Sequence, residues 1–324
     1  PRHCTQCPAT EKLIYYVRPY THITMPLTVL SLFDGISCGQ EALARLGYEC
    51  VYYAAEIKPH AIAVTQDRYP NTVQIGDVRN VTYAEGFLHA ADGRVYDVPH
   101  FDIVLAGSPC QDFSQAGANN PTGLDGKKSG LYDEFYRLLQ ETKPTWFLLE
   151  NVRMGGKMKA HRERIIANLA PFGGVVYELN SSDWCAQNRP RLYWTNVPQQ
   201  DVVLLNDRNV GIRATKHDFP VTVQELIGPG YERIKHLQKR HIYSWKKKER
   251  VANCITASRV FDSHEVVVNG VARQYTCEEF EALQTLPAGY TDAAGAKTNR
   301  GNLIGDGWTV VVVADLLRGM SNSL

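Results

Sequence analysis

No stretch of the 324-residue chain holds about 18 consecutive apolar residues, so none of it is expected to cross a membrane as a helix. Charge of one sign is missing too. There are 35 basic residues against 34 acidic ones, a net charge of +1. Nucleic acid therefore receives no global electrostatic attraction, and any basic surface must be local. Cysteine is sparse: eight are scattered without a dense framework, as in a reducing compartment. Cys4 and Cys7 make only half of a zinc site, with no second pair nearby, so no metal is expected. Residues 1–24 lack the layout of a secretory signal and are expected to be an extension before a core domain that starts near Met25. No internal repeat or low-complexity tract is present. With 44% hydrophobic and 21% charged residues, disorder over most of the chain is excluded.

What is present from Leu27 onward is an alternation of strands and helices. Leu27–Phe33, Tyr48–Ala55, Val73–Ile75, Phe101–Ala106 and Trp146–Leu149 read as strands. Cys38–Leu46, Pro59–Tyr69 and Leu131–Glu141 read as helices between them. Such a series predicts βαβ units and a parallel sheet covered on both faces. Each strand ends in a polar or glycine-bearing signature: Asp34-Gly35, Glu56, Gly76-Asp77, Gly107-Ser108-Pro109-Cys110 and Glu150-Asn151. One such pair is an ordinary turn. Five in succession point to a shared cleft, because ligands of open α/β sheets bind outside the carboxyl ends of the strands.

The regular alternation stops near residue 198. Residues 231–250 carry eight basic residues against two acidic ones, with Tyr243 and Trp245 interleaved. That segment is either a grip on a phosphate backbone or a solvated helix face. Helix returns over Gln274–Leu286, and Thr309–Leu317 is apolar with Val310–Val313 β-branched.

At one end of the expected cleft, Gly35 permits a sharp turn after the first strand. No lysine follows for a triphosphate, so a P-loop is excluded. Glu56, 21 residues beyond Gly35, suits two ribose hydroxyls, and Asp77 suits an exocyclic adenine amine. An adenosine-bearing ligand without a pyrophosphate fits, S-adenosylmethionine better than a nicotinamide dinucleotide. At the other end, Pro109 presents Cys110 at a rigid corner, where a thiolate is a strong nucleophile. Glu150 ends the neighbouring strand, and Arg189 and Arg191 lie two residues apart, on one face if extended.

Phe33-x-Gly35, Pro109-Cys110-Gln111, Glu150-Asn151-Val152 and Gln187-x-Arg189-x-Arg191 occur in an order that resembles the DNA cytosine-5 methyltransferase family. The flavour of Gly76-Asp77-Val78-Arg79, Glu134–Leu139 and Leu303-Ile304-Gly305-x-x-Trp308 is similar to the animal de novo branch. The resemblance covers most of residues 27–317. It implies an α/β fold: a Rossmann-like S-adenosylmethionine-dependent methyltransferase sheet with helices on both faces and a small target-recognition region. The expected division is an extension at 1–24, catalytic domain at 25–198, recognition region at 199–262 and a return to the catalytic domain at 263–324.

The resemblance also implies roles. Cys110 attacks C6 of a cytosine flipped out of double-stranded DNA. Glu150 bonds its N3 and N4 edge, Arg191 holds the O2 side, and Arg189 supports Glu150 or a phosphate. Asn151, Gln111 and Ser114 face the substrate, with Arg259 as the candidate for reading guanine. Phe33, Asp34, Gly35, Ile36, Cys38, Glu56, Ile57, Asp77, Val78, Ser108, Pro109 and Asn302 are expected on the cofactor, whose product is S-adenosylhomocysteine. Trp308 is either a cation–π partner of the sulfonium or a core aromatic beside Val310. Ser37, Cys38 and Asp306 depart from common family patterns, which have glycines at the first two positions and, in the de novo branch, a basic residue at the third. A stand-alone bacterial or phage enzyme of the cytoplasm is expected, with no membrane partner and room for a restriction endonuclease partner; the oligomeric state is open. An RNA cytosine-5 methyltransferase is the alternative, against which the chain lacks a Cys-Phe-Thr signature. A non-catalytic DNA-binding relative would not need Cys110, Glu150 and Arg191 together. A Rossmann oxidoreductase leaves the second half of the chain unexplained.

Overall fold

The computed structural model describes residues 25–108, 131–199, 203–205, 209–211, 219–220, 222–232, 251–257, 261 and 265–322. Its centre is a seven-stranded sheet. In sequence these strands are β1 (Leu27–Leu32), β2 (Cys50–Ala55), β3 (Val73–Gln74), β7 (Ile103–Gly107), β8 (Trp146–Val152), β9 (Val175–Asn180) and β10 (Pro190–Thr195). Their spatial order is β3-β2-β1-β7-β8-β10-β9. The first five run parallel, whereas β10 is antiparallel to both its neighbours. Between β3 and β7 the chain folds a separate antiparallel sheet of β4 (Thr82–Ala84), β5 (Phe87–His89) and β6 (Val95–Asp97).

Both faces of the main sheet are buried, which explains why its strands read as apolar runs rather than alternating ones. On one face Val29, Tyr52, Ile103, Leu105 and Leu148 pack with α1 (Cys38–Arg45), α2 (Pro59–Arg68) and α8 (Val310–Leu317). On the other face Leu30, Leu32, Val104, Phe147 and Leu149 meet α3 (Tyr132–Thr142), α4 (Lys159–Leu169) and the small sheet through Val81 and Leu88. Successive strand residues alternate between these two cores, as the period of two requires.

The seven elements expected before Trp146 form, and β8 runs on through Val152, which puts Glu150 and Asn151 inside the strand. Three features depart from expectation. The sheet is not wholly parallel, because β10 enters it from the opposite direction. The helix expected over Gln274–Leu286 is α6 (Cys277–Leu283), with Gln274 ending a strand instead. A capping box at Thr276 and Glu279 fixes that later start: each side chain accepts from the other's backbone N–H. The third departure concerns the recognition region. β13 (Tyr231–Glu232), β14 (Glu265–Val268) and β15 (Val271–Gln274) form one sheet that crosses the expected boundary at 262. This sheet shares an apolar cluster with α5 (Val223–Ile227), Ala252, Ile255 and Phe280. β11 (Val203–Leu205) and β12 (Asn209–Gly211) pair beside it in sequence. The basic run at 233–250 lies outside the described residues.

Candidate active site

The strand order reverses direction between β1 and β7, so the crevice expected of an open sheet lies at their carboxyl ends. The turn that leaves β1 is unusual. Phe33, Gly35 and Ser37 have φ of 56°, 61° and 55°. Only glycine adopts that region freely, so Phe33 and Ser37 each hold about 1–3 kcal/mol of backbone strain. The Asp34 side chain offsets it. It accepts from Ser31 Oγ at 2.6 Å, from Tyr52 OH at 2.9 Å and from Ser37 Oγ. Burial raises the Asp34 pKa above the ordinary aspartate value, against the opposing pull of those three donors.

One carboxylate locks this turn to the end of β2. Glu56 Oε2 accepts from Gly35 N–H at 2.8 Å, and Oε1 from the N–H groups of Ile57 and Lys58 at 2.7 and 2.8 Å. Beside it, Ile57 is 63% exposed, an apolar side chain held open at the mouth of the crevice. Asp77 follows β3 and accepts from Arg79 Nε at 3.0 Å; this bond draws its pKa below the ordinary aspartate value, so it stays an acceptor. The opposite wall is α7 (Lys297–Asp306), which exposes Asn302 and Asp306 one turn apart. Lys58 and Asp306 form an ion pair of 2.6 Å that spans from one wall to the other. Trp308 is buried behind them. A Cβ on Gly107 would lie 2.7 Å from its Nε1, and one on Gly39 3.4 Å from its Cζ3. Gly107 thus lets the indole approach the end of β7 closely.

At the end of β7 the Asn151 amide donates to Ser108 Oγ at 2.9 Å and to Ser108 O at 3.3 Å. This fixes the residue from which the Pro109-Cys110 segment departs. Next to it, Glu150 Oε1 pairs with Arg191 Nε at 2.9 Å, both side chains nearly buried. The antiparallel register makes the contact: Tyr193 is opposite Glu150 and Arg191 opposite Val152, so Arg191 reaches Glu150 diagonally on one face. Arg189 is 3% exposed and donates to the carbonyls of Ile255 at 2.9 Å, Gly305 at 3.2 Å and Gly307 at 2.8 Å. Gln187 is wholly buried and bonds Leu283 O and Ile255 N. Together, Arg189 and Gln187 tie the start of β10 to segment 251–257 and to the α7 wall.

Glu56, Ile57, Gly35 and Asp77 gather at one end of the crevice, and Glu150 and Arg191 at the other. Several expectations need correction. The side chains of Ile36, Cys38 and Val78 are buried, and the Asp34 carboxylate is taken up by Ser31, Ser37 and Tyr52. Burial pushes the Cys38 thiol up to about 12. Asn151 is buried, with its amide on Ser108. The partner of Glu150 is Arg191 and not Arg189, whose guanidinium donates to the carbonyls of residues 255, 305 and 307 instead. Trp308 is a core aromatic that also forms the floor of the crevice. Pro109, Cys110, Gln111, Ser114 and Arg259 lie outside the described residues. Sequence reasoning missed Cys254, whose sulfur touches both arginines, since a single cysteine two residues before Thr256 carries no local signal.

Residues 27–209 match the family model described as C-5 cytosine-specific DNA methylase. Among curated relatives, the Type II methyltransferase M.NlaX of Neisseria lactamica is 30% identical over 281 residues, covering 80% of this chain and 79% of its own. M.NgoBV of Neisseria gonorrhoeae is 33% identical over 184 residues, 52% of this chain and 40% of its own length. The chain thus spans about half or less of the length of several curated relatives it matches, from 40% to 51%. Among solved structures, a DNA modification methyltransferase encoded in an E. coli prophage superposes with a TM-score of 0.59 at 21% identity, over 91% of this chain and 99% of that one. DNMT2 of Spodoptera frugiperda gives 0.59 at 16% identity, over 91% and 100%. These two structures share the fold of this chain.

Proposed function

The chain belongs to the C-5 cytosine-specific DNA methylase family, and on that premise we propose that it methylates C5 of a cytosine flipped out of double-stranded DNA, with S-adenosylmethionine as donor. The observation that carries this reading is the Glu150–Arg191 pair, seated beside the anchored departure point of the Pro109-Cys110 segment and sharing one sheet edge with the Glu56–Gly35 lock.

The residues at the crevice fit the donor. Glu56 is fixed by three backbone N–H groups and still has acceptor capacity for ribose hydroxyls, Ile57 offers an exposed apolar surface to a flat purine, and Asp77 is an acceptor for its amine. Asn302 on the exposed face of α7 serves the methionine part. When bound, the donor supplies an electrophilic methyl on a sulfonium. The chain's own groups prepare the acceptor. The Cys110 thiolate adds its sulfur to C6, and the π pair of the C5=C6 double bond shifts onto C5 and the N3 side of the ring. Glu150 hydrogen-bonds the N3 and N4 edge and favours a proton at N3, which quenches that charge. Arg191 holds Glu150 in place. Once C5 carries the methyl, loss of the C5 proton to a base restores the double bond and expels Cys110.

Cys110→Ser is expected to abolish methyl transfer while leaving cofactor binding intact, measured with labelled donor on duplex DNA and by equilibrium dialysis. A duplex carrying 5-fluorocytosine at the target is expected to form a denaturation-resistant adduct, because fluorine cannot leave as the proton does. Transfer by Cys110→Ser at the wild-type rate contradicts the assignment, and an adduct with RNA alone selects the RNA-directed alternative. A restriction endonuclease partner belongs to the same reading, supported by the Type II names of the curated relatives.

A further inference from the structure

We propose that Cys254 is a positioning residue for methyl transfer, its sulfur bridging the guanidiniums of Arg189 and Arg191 and so holding Arg191 on Glu150. The inference rests on the function proposed above, and it adds Cys254 and Arg189, which that function did not use, to the Glu150–Arg191 pair. The Cys254 sulfur lies 3.7 Å from Arg189 Nη1 and 3.7 Å from Arg191 Nη2. The Cys254 thiol also donates to Ile255 O at 3.5 Å. Arg189 is fixed, because the carbonyls of Ile255, Gly305 and Gly307 hold both of its terminal nitrogens. In Arg191, Nε pairs with Glu150 and Nη1 donates to Pro190 O. The sulfur therefore links a rigid guanidinium to the one that contacts the active carboxylate. It also separates two like charges that would otherwise repel across the same gap.

The chain of groups alternates in character: Glu150 accepts, Arg191 donates, Cys254 accepts, Arg189 donates. Burial would raise the Cys254 pKa, yet the charges and hydrogen bonds of Arg191 and Arg189 bring it below the ordinary thiol value. Cys38, Cys50 and Cys185 show the contrast, since burial pushes each up to about 12. Among the described residues, the charged groups facing the sulfur are these two arginines, with Glu150 behind Arg191. A thiolate is the form that best accepts two guanidinium hydrogen bonds at once.

Cys254→Ala, Cys254→Ser and Cys254→Asp are compared with the wild-type chain for methyl transfer to duplex DNA from about pH 6 to 9. The Ala and Ser variants are expected to lose about tenfold in kcat with KM for the donor unchanged, and to lose the pH limb that belongs to the thiol. The Asp variant, which keeps an anion between the arginines, is expected to retain most of kcat. An Ala variant with wild-type kcat and pH profile overturns the proposal. So do equal losses in all three variants accompanied by a raised KM, which would make the sulfur mere packing. A second readout does not depend on activity. Iodoacetamide labelling of the Cys254 peptide, followed by mass against pH, is expected to show a lower midpoint in the wild type than in Arg191→Gln. Should the wild-type chain prove inactive on DNA, the functional reading fails by itself, and equal labelling midpoints in the two proteins overturn the bridge.

Discussion

At the scale of single residues, Gly107 decides how close the crevice floor lies to the end of β7. A Cβ there would sit 2.7 Å from Trp308 Nε1 and 3.1 Å from its Cε2, and the indole is buried with no room to retreat. Gly107→Ala is expected to cost about 1–3 kcal/mol by overpacking and to raise the KM for the donor, since a displaced indole changes the crevice. Urea unfolding and donor titration check the two parts; an unchanged KM would separate Trp308 from the donor site. Much of the chemistry at this scale is legible in the chain. Spacing and residue type single out Glu56, Glu150 and Arg191, and the structure brings the latter two to 2.9 Å. Which arginine pairs with Glu150 is not legible. Arg189 and Arg191 share one alternation, and only the carbonyls gathered around Arg189 from residues 255, 305 and 307 tell them apart.

Elements show where local propensity gives way. Val310–Val313 would favour a strand by residue type alone, yet α8 is helical from Val310 to Leu317. Burial of Val310, Val312, Val313, Leu316 and Leu317 against α1 and the sheet outweighs a propensity cost of a few tenths of a kcal/mol per residue. α7, which carries the cofactor wall, is held by a buried ion pair. Glu281 of α6 is wholly buried and accepts from Gly289 N–H at 2.7 Å, Thr291 N–H at 2.8 Å and Arg300 Nη2 at 3.0 Å. Arg300 also pairs with Asp292 and Glu278, so it joins three consecutive elements. Arg300→Ala leaves Glu281 buried without its cation. The expected loss is about 3 kcal/mol in denaturant unfolding, with weaker donor binding because Asn302 and Asp306 follow on the same helix. A loss below about 1 kcal/mol would mean that the two backbone N–H groups and the Thr291 hydroxyl alone satisfy Glu281.

For the molecule as a whole, affinity for DNA must come from local charge, because the chain nets only +1. Neutralising Lys246, Lys247 and Lys248 together is expected to weaken duplex binding and flatten its salt dependence by up to about three units of slope. Binding measured across a salt series checks this, and an unchanged slope would make that run a solvated face. Strand polarity is the other whole-molecule property. Parallel β1, β2, β3, β7 and β8 bring the five polar strand ends to a single edge, so the cleft could be inferred from a chain read in one dimension. What the amino-acid order determined by itself is therefore the set of groups and the edge where most of them meet: apolar runs, turn residues and motif spacing are local, and a parallel sheet converts them into position by rule. The tertiary structure alone decided the rest. Arg191 follows Glu150 by 41 residues and reaches it because β10 runs against β8, placing its beginning at the edge where β8 ends. Cys254 arrives from still farther away, on a segment that pairs with residues 186–188. No local signal encodes such pairings, because they depend on which distant backbone offers a free edge and which buried guanidinium still needs an acceptor.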